Sequence, residues 1–344
     1  MTTQPLSPLT MLLSRHTRRR EFISLLGGAA AAWPLAVRAQ QLAMPVIGYL
    51  SGSWADLFPG RVRAFREGLD ETGYSEARNV TIEYRWAEGK NDHIPALAAD
   101  LVHLDVSIMV AAESTPAALA AKAATATIPI VFIVGTDPVE AGLVVSLSRP
   151  GGNLTGVTSF NQELGPKRLE LLHQVVPPAT TIALLVNPTS PIIAEADSRR
   201  LQTAARTLGR QLHILHASNE HEVESVFAKL VQLQIGALVV GADTFFTNRS
   251  EKLAALAIRH AIPTIYQTRE FAMAGGLMSY GGELRELYRL AGVYTGRILK
   301  GEKPTNLPVH QVTKVELIVN LKTARGLGLT IPLPLLGRAD EVIE

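Results

Sequence analysis

The chain has 344 residues, of which 47% are hydrophobic and 19% charged, so it is long and apolar enough to form two packed domains. Lysine and arginine number 33 against 31 aspartates and glutamates, and the basic residues are spread along the chain, which argues against a nucleic-acid partner. The sequence contains no cysteine, which excludes disulfides, thiolate metal ligands, a cysteine nucleophile and a lipid anchor on cysteine.

The first 39 residues have the pattern of an export signal. A basic cluster at 18–20 precedes an apolar segment at 22–37, and small residues follow up to Ala39. The apolar segment is shorter than the roughly 20 residues that a membrane-spanning helix needs. Two arginines, one further residue and then Phe22-Ile23 fit a twin-arginine signal, and an arginine-rich secretory signal is the alternative. Both routes leave the cytoplasm, so we expect the mature protein to be free in the periplasm.

From residue 45 onward, short apolar runs alternate with segments of helical periodicity. The predicted elements are strand 45–50, helix 60–73, strand 79–86, helix 94–104, strand 106–111, helix 116–125 and strand 128–134. This alternation predicts a parallel sheet with helices on both faces.

The same series begins again near residue 181. Its predicted elements are strand 182–190, helix 192–208, strand 211–218, helix 222–233, strand 236–244 and a helix-to-strand segment at 251–266. Ile128-Pro129 and Ile262-Pro263 occupy matching positions, as do Thr72-Gly73 and Leu208-Gly209. We interpret these matches as one α/β unit used twice, the alternative being two doubly wound domains that share only a general rhythm.

The segments between and after the two series predict a hinge. The stretch 148–160 is rich in glycine and is interpreted as a connection between lobes, while the helical segment 283–300 completes a domain and 299–320 crosses again. The assigned lobes are 44–158 with 283–308 for lobe 1, and 159–282 with 309–344 for lobe 2. The predicted fold class is therefore α/β, with two doubly wound parallel-sheet lobes joined by several crossings.

Polar side chains follow many of the apolar runs, where strands lead into helices. In open parallel sheets, ligands bind beyond the carboxyl ends of the strands, and two facing lobes would bring these ends into one cleft. The candidate ligand-binding residues are Ser51, Ser53, Glu113, Ser114, Thr115, Thr136, Asp137, Asn187, Asp243, Thr244 and Tyr266.

The candidates combine hydroxyls at helix starts with carboxylates. Ser114 and Thr115 come just before Pro116 at an expected helix start, which favours a bound carboxylate by about 0.3–1 kcal/mol. Asp243 or Glu113, across the gap, would hold an ammonium group. This pairing predicts an amino acid or a close relative as the ligand.

Several candidates also have a purely structural interpretation. Phe245, Phe246 and Tyr280 would supply apolar walls, although the two phenylalanines fit a core equally well. A helix cap or a turn accounts equally well for Ser114, Thr115, Asp137 and Thr244. Glu113 is harder to explain in this way, because a carboxylate at the end of a buried strand is costly without a partner.

Known catalytic signatures are missing from the sequence. It contains no dinucleotide-binding or phosphate-binding glycine loop, and no Gly-x-Ser-x-Gly nucleophile elbow. His213, His216 and His221 fall on a predicted strand and its exit without the spacing of a metal site. We therefore expect no enzyme activity, no metal and no cofactor.

Segments along essentially the whole chain resemble the periplasmic substrate-binding proteins of ABC importers, in the subgroup similar to tryptophan-binding transporter components. The segments that carry this resemblance are RREFISLLGGAAAAWPLA, LDETGY, NVTIEYRWAEG, IPIVFIVGTDPVEAGLV, RPGGNLTGVTSF, ELGPKRLELL, GGLMSYG, YTGRILKGEKPTNLPV and LKTARGLGLTIP. The resemblance implies the type I periplasmic-binding-protein fold, a ligand trapped at the hinge between two lobes, and no enzyme activity. Members with known ligands bind amino acids.

The resemblance also implies pocket positions and a partner. The pocket positions are the strand ends that correspond to Ser51, Ser114, Thr115, Asp137, Asn187 and Asp243. The expected protein is a monomer that closes on its ligand and is then recognised by an ABC permease in the inner membrane. The alternatives are a ligand-sensing module for a membrane receptor and an exported α/β enzyme.

Overall fold

Apolar runs close to the predicted positions form the strands of two separate sheets in the computed structural model, which describes residues 44–344; the predicted export signal lies outside them. The first sheet contains β1 (Val46–Ser51), β2 (Thr81–Trp86), β3 (Ile108–Ala112), β4 (Ile130–Val134), β5 (Leu154–Thr158) and β11 (His310–Gln311). The second contains β6 (Thr181–Val186), β7 (Gln211–His216), β8 (Ala237–Val240), β9 (Thr264–Tyr266), β10 (Met278–Gly282), β12 (Val315–Asn320) and β13 (Glu341–Ile343).

The two sheets share one strand order, which confirms the predicted fold class. The first sheet runs β2-β1-β3-β4-β5-β11, and the second runs β7-β6-β8-β9-β10-β12-β13. Apart from the antiparallel pair β10–β12, the strand pairs are parallel. In each sheet the order reverses beside the first strand, which is where doubly wound domains bind ligands.

Twelve α-helices connect and cover the strands within the described residues. They are α1 (Pro59–Glu71), α2 (Ile94–His103), α3 (Thr115–Ala124), α4 (Gly165–Val175), α5 (Pro191–Thr207), α6 (Glu220–Gln232), α7 (Thr244–Thr247), α8 (Ser250–Arg259), α9 (Arg269–Met273), α10 (Leu284–Leu299), α11 (Leu321–Gly326) and α12 (Leu333–Leu336). Proline at the first or second position starts several of them, and the Ser114 hydroxyl caps α3. No helix of residues 44–344 is long and apolar enough to cross a membrane.

The chain passes three times between the sheets, at 159–164, at Glu283 and at 312–314. Helix α10 returns to the first sheet, where Leu287 and Tyr288 join the core. We call the first sheet with α1–α3 and α10 the first lobe, and the second sheet with the other helices the second lobe. Strand β11 belongs to the first sheet, whereas the sequence assigned residues from 309 onward to the second lobe; the lobe boundaries otherwise stay a prediction.

Five strands, β5 and β10 to β13, were not among those predicted from the sequence, and β5 shows one physical reason. The stretch 148–160 was interpreted as a turn-rich connection, but it contains β5, which is fully buried beside β4. Gly156 lies in the middle of this strand, and a Cβ there would stand 2.2 Å from the Phe132 carbonyl oxygen. Glycine is therefore required here for close packing between strands, although the glycine-rich composition of 148–160 indicates a turn.

Helices α1 and α10 approach each other closely at two glycines. A Cβ on Gly68 would lie 1.8 Å from the Arg289 carbonyl oxygen, and one on Gly292 would lie 2.0 Å from the Phe65 carbonyl oxygen. Any side chain at either position would force the two helices apart. This contact fixes α10, which forms part of the cavity described below, against the first lobe.

Substituting Gly68→Ala is expected to lower the free energy of unfolding by about 1–3 kcal/mol, because the added methyl group overlaps a backbone carbonyl. The matched control is Gly60→Ala in the same helix, where a Cβ would meet no heavy atom within 4 Å. The control is expected to be neutral or to gain up to about 1 kcal/mol from helix propensity. Urea unfolding of both variants checks this prediction, and an equal effect of the two substitutions would contradict it.

Candidate functional site

A cavity of about 90 Å³ lies between the two sheets, beyond the carboxyl ends of the inner strands. At roughly 10–15 Å³ for each water-sized group, it has space for about six to nine such groups. Its polar lining consists of Arg61, Asn91, Glu113, Ser114, Thr115, Thr136, Ser159, Asn161, Gln162, Asp243, Thr244, Thr247, Gln267 and Thr268. Its apolar lining is mainly aliphatic and consists of Pro116, Ile133, Val134, Ile193, Ala242, Leu284, Leu287 and Tyr288.

The structure brings many of the predicted site residues together at this cavity. Those that line it are Glu113, Ser114, Thr115, Thr136, Asp243 and Thr244. Two others hold residues of the lining, and a third joins the two lobes. Ser51 Oγ donates to the Glu113 carboxylate (3.2 Å), and Asn187 Nδ2 donates to Asp243 Oδ1 (3.0 Å). Ser53 Oγ donates to Asn248 Oδ1 (2.7 Å) and so joins the two lobes.

The remaining candidates lie away from the cavity. Asp137 Oδ1 accepts from the backbone N–H groups of Val139 (2.7 Å) and Glu140 (3.3 Å), which is the turn-capping role. Tyr266 is fully buried and stacks on Phe271 at 4.4 Å, and its burial raises the pKa of its hydroxyl well above the usual value.

The suggested aromatic walls are not part of the cavity lining. Phe245 and Phe246 pack edge to face at 5.3 Å within the core of the second lobe. Tyr280 packs against another core cluster of that lobe. The structural interpretation of the two phenylalanines therefore holds, because their side chains fill the second lobe rather than face a ligand.

One end of the cavity is the N-terminus of α3. Ser114 Oγ accepts from the Ala117 N–H (3.1 Å), and the Thr115 and Thr136 hydroxyls lie 3.1 Å apart. The first N–H groups of a helix have no partner within the helix, and they carry a partial positive charge. This end of the cavity is therefore suited to a carboxylate, with hydroxyls beside it.

Glu113 is held in an unusual conformation at the end of β3. Its φ is 72°, in the left-handed region that favours glycine, which is a form of strain found at functional sites. Arg61 Nη1 donates to Glu113 Oε1 at 3.0 Å and supplies the partner that a buried carboxylate needs.

Arg61 is a cavity residue that the sequence analysis missed. Its side chain is 9% exposed, and its Nη2 also pairs at 2.7 Å with Glu270 on α9, so that it links the two lobes. Burial disfavours the charged form of Glu270, but the ion pair with Arg61 holds the pKa of this carboxyl below its usual value. A cation in the first turn of a helix is disfavoured by the helix dipole, so its presence there indicates an acidic partner. This was the signal in the sequence that could have identified Arg61.

Asp243 is the N-cap of α7. Its Oδ1 accepts from the Phe245 N–H (2.8 Å) as well as from Asn187, and burial raises the pKa of its carboxyl. The neighbouring Thr244 Oγ1 donates to the Glu113 carbonyl oxygen at 2.9 Å. The two carboxylates that the sequence singled out are therefore brought to one cavity from opposite lobes.

Further hydrogen bonds join the lobes around the cavity. Asn91 Nδ2 in the first lobe donates to Thr189 Oγ1 (3.2 Å) and Ser190 Oγ (3.1 Å) in the second. Together with the Arg61–Glu270 ion pair and the Thr244–Glu113 contact, these bonds hold the lobes in a closed arrangement.

The crossing segment at 159–164 is anchored by the buried side chain of Arg168. Arg168 Nη2 donates to Asn161 Oδ1 (3.0 Å), and Arg168 Nε donates to the Tyr280 carbonyl oxygen (2.9 Å). Burial lowers the pKa of Arg168 to about 10 and raises that of Asp197, with which Arg168 interacts, to about 6. Asp197 Oδ2 in turn accepts from the Ala242 N–H (3.2 Å), so Arg168 and Asp197 each hold one residue of the cavity lining, Asn161 and Ala242.

Gln267 is a second important residue that the sequence analysis missed. It directly follows Tyr266, the last residue of β9, and lines the cavity, whereas Tyr266 is part of the core. Side chains alternate along a strand, so neighbouring residues at a strand end face different surroundings. The sequence indicates the strand end but not which of its two residues reaches the cavity.

Comparison with known proteins identifies a matching family and a similar characterised protein. A family model described as ABC transporter substrate binding protein matches residues 57–343. A tyrosine-binding protein from Clostridioides difficile is 29% identical over 267 residues, which cover 78% of this chain and 76% of that protein.

Two solved structures are similar to this chain over most of its length. The ABC domain in complex with L-Trp from Streptococcus pneumonia has 25% identity and a TM-score of 0.79, covering 88% of this chain and all of that chain. The ligand-free, open structure of a substrate-binding protein with adhesive properties from Clostridium difficile has 26% identity but a TM-score of 0.61, covering 87% of this chain and 99% of that chain. At nearly equal identity, this chain is therefore more similar in structure to the L-Trp complex than to the open, ligand-free protein.

Proposed function

The chain belongs to the ABC transporter substrate-binding protein family, and we propose that it captures an amino acid between its lobes and delivers it to a membrane permease. The tyrosine-binding relative and the L-Trp complex support an amino-acid ligand. The observation that carries the proposal is the cavity itself, which joins a helix N-terminus in one lobe to an acidic wall shared by both lobes.

The carboxylate of the amino acid lies at the start of α3. Its negative charge is stabilised by the helix N–H groups, and the hydroxyls of Ser114, Thr115 and Thr136 are placed to donate to it. All of these groups belong to the first lobe.

The ammonium group is favoured by the charge balance around the cavity. Glu113 and Glu270 both pair with Arg61, which leaves one negative charge in excess, and Asp243 adds a buried carboxyl. A cationic group in the cavity offsets this excess. Burial strengthens this attraction, because charges that are removed from water interact in a medium of lower dielectric constant.

Binding favours closure because the ligand touches both lobes. The three crossings allow the lobes to exchange between open and closed arrangements, and a ligand stabilises the closed one by its higher affinity for it. In this proposal a permease recognises the closed form, the protein works in the periplasm after export, and it does not catalyse a reaction on its ligand.

Isothermal titration calorimetry of the mature chain tests the proposal with a panel of L-amino acids, their deaminated analogues and simple sugars. We expect saturable binding of at least one L-amino acid, weaker binding of its deaminated analogue and no binding of the sugars. Recovery of the bound amino acid chemically intact is expected from a protein that is not an enzyme. Absence of binding to every L-amino acid, or preference for a sugar, would contradict the proposal.

A further inference from the structure

Gln267 carries a buried hydrogen-bond acceptor that the protein leaves unused. The residue is 2% exposed and lines the cavity, and its Oε1 has no hydrogen-bond partner among residues 44–344. Its Nε2 donates to Thr247 Oγ1 (2.8 Å) and to the Asp243 carbonyl oxygen (3.4 Å). These bonds fix the orientation of the amide and leave its carbonyl oxygen as the acceptor. Such an atom is costly when buried, and a ligand N–H group would remove the cost.

The backbone around Gln267 is held from two sides. Asn161 Nδ2 donates to the Gln267 carbonyl oxygen at 3.1 Å, and Arg168 holds Asn161 in turn. On β10, a Cβ at Gly281 would lie 1.8 Å from the same carbonyl oxygen, so the approach requires glycine. Gln267 is therefore part of a rigid wall, and a ligand meets it without first having to order it.

The two acids on the cavity wall are already engaged with protein donors. Glu113 accepts from Arg61 and Ser51, and Asp243 accepts from the Phe245 N–H and from Asn187. A ligand would have to compete with these bonds to contact either carboxylate directly. Both acids still contribute negative charge to the cavity.

We infer that Gln267 Oε1 is the direct acceptor for the ammonium group of the bound amino acid, while Glu113 and Asp243 supply the surrounding negative charge. The inference rests on the proposed function and gives it a specificity-determining residue. It assigns the ligand carboxylate to the first lobe, at α3, and the ligand amino group to the second lobe, at Gln267. The ligand therefore bridges the lobes through two different chemical groups.

A cycle of protein variants and ligand pairs tests this inference. The probes are L-tyrosine with 3-(4-hydroxyphenyl)propanoate, L-tryptophan with 3-(indol-3-yl)propanoate, and L-leucine with 4-methylpentanoate. The proteins are the wild type, Gln267→Met, which keeps the side-chain length but removes the acceptor, and Gln267→Glu, which keeps an acceptor. Calorimetry gives the affinities, and thermal unfolding confirms that each variant is folded.

We expect Gln267→Met to lower the affinity for the amino acid about 10- to 100-fold, which is the loss expected for a hydrogen bond to a charged group. The affinity for the deaminated analogue is expected to change about 3-fold or less. Gln267→Glu is expected to retain amino-acid binding and to lower the affinity for the deaminated analogue. The ratio of the two affinities therefore increases. Equal effects on both members of a pair, or no effect of Gln267→Met, would overturn the inference. If Gln267→Met does not fold, reduced discrimination by Gln267→Glu overturns it instead. Failure of the wild type to bind any L-amino acid of the full calorimetry panel would show that the proposed function itself is wrong.

Discussion

Replacing Arg61 by methionine is expected to lower the free energy of unfolding by about 3–5 kcal/mol, because the change leaves Glu113 and Glu270 buried without their cation. The guanidinium group also lies 3.8 Å from the centre of the Phe58 ring, a contact that methionine does not reproduce. Chemical denaturation of the two proteins at neutral pH measures the difference.

The control for Arg61→Met is Arg63→Met in the same helix, where the arginine is exposed. This change is expected to stay within about 0.5 kcal/mol of the wild type, as surface substitutions usually do. Since Arg61 links the lobes through Glu270, small-angle scattering of Arg61→Met is also expected to show a less compact chain. Equal stabilities of the two variants would show that the buried ion pair does not contribute as argued.

Replacing Arg168 by methionine is expected to have an effect of similar size, about 3–5 kcal/mol, because Asp197 loses the cation with which it is buried. The hydrogen bonds to Asn161 and Tyr280 are lost as well, so the wall that carries Gln267 is loosened. We therefore expect weaker amino-acid binding together with the loss of stability. Urea unfolding and calorimetry on the same preparations measure both effects.

The effect of Arg168→Met has a defined dependence on pH. In the folded protein the pKa of Asp197 is raised from 3.8 to about 6. The folded state therefore binds the Asp197 proton more tightly than the unfolded state does. As a result, the stabilising contribution of this group falls as pH rises from about 4 to 6. Without Arg168 the pKa of Asp197 rises further, so the decrease in the free energy of unfolding extends to higher pH. The stability deficit should therefore be larger at pH 8 than at pH 5, and Asp197→Asn in the same chain should remove this difference. A deficit that is the same at both pH values would contradict this account.

The sequence was sufficient to predict the duplicated fold because its signals are local and repeated. Apolar runs and helical periodicity gave the four inner strands of each lobe and the helices between them, and the matching Ile-Pro pairs gave the alignment of the two lobes. The strand β5 was missed because Gly156, which is needed for contact with Phe132, signals a turn in the sequence. Close packing across a sheet leaves no local pattern that distinguishes it from a turn.

The site was predicted less completely than the fold, because its residues meet only after folding. The hydroxyls before α3 could be identified from the sequence, since a helix start is a local feature. Arg61 and Glu270 are far apart in the chain, and their pairing depends on how the lobes close. Asp243 stood out as a charged residue, yet its carboxylate caps a helix, whereas the neutral Gln267 has the unused acceptor.

A crystal structure of the chain with the L-amino acid that binds most tightly in calorimetry tests the central claim most directly. The ligand is expected between the two sheets, with its carboxylate within hydrogen-bond distance of the start of α3 and its amino group contacting the second lobe. A ligand bound elsewhere on the molecule, or held by one lobe alone, would contradict the claim.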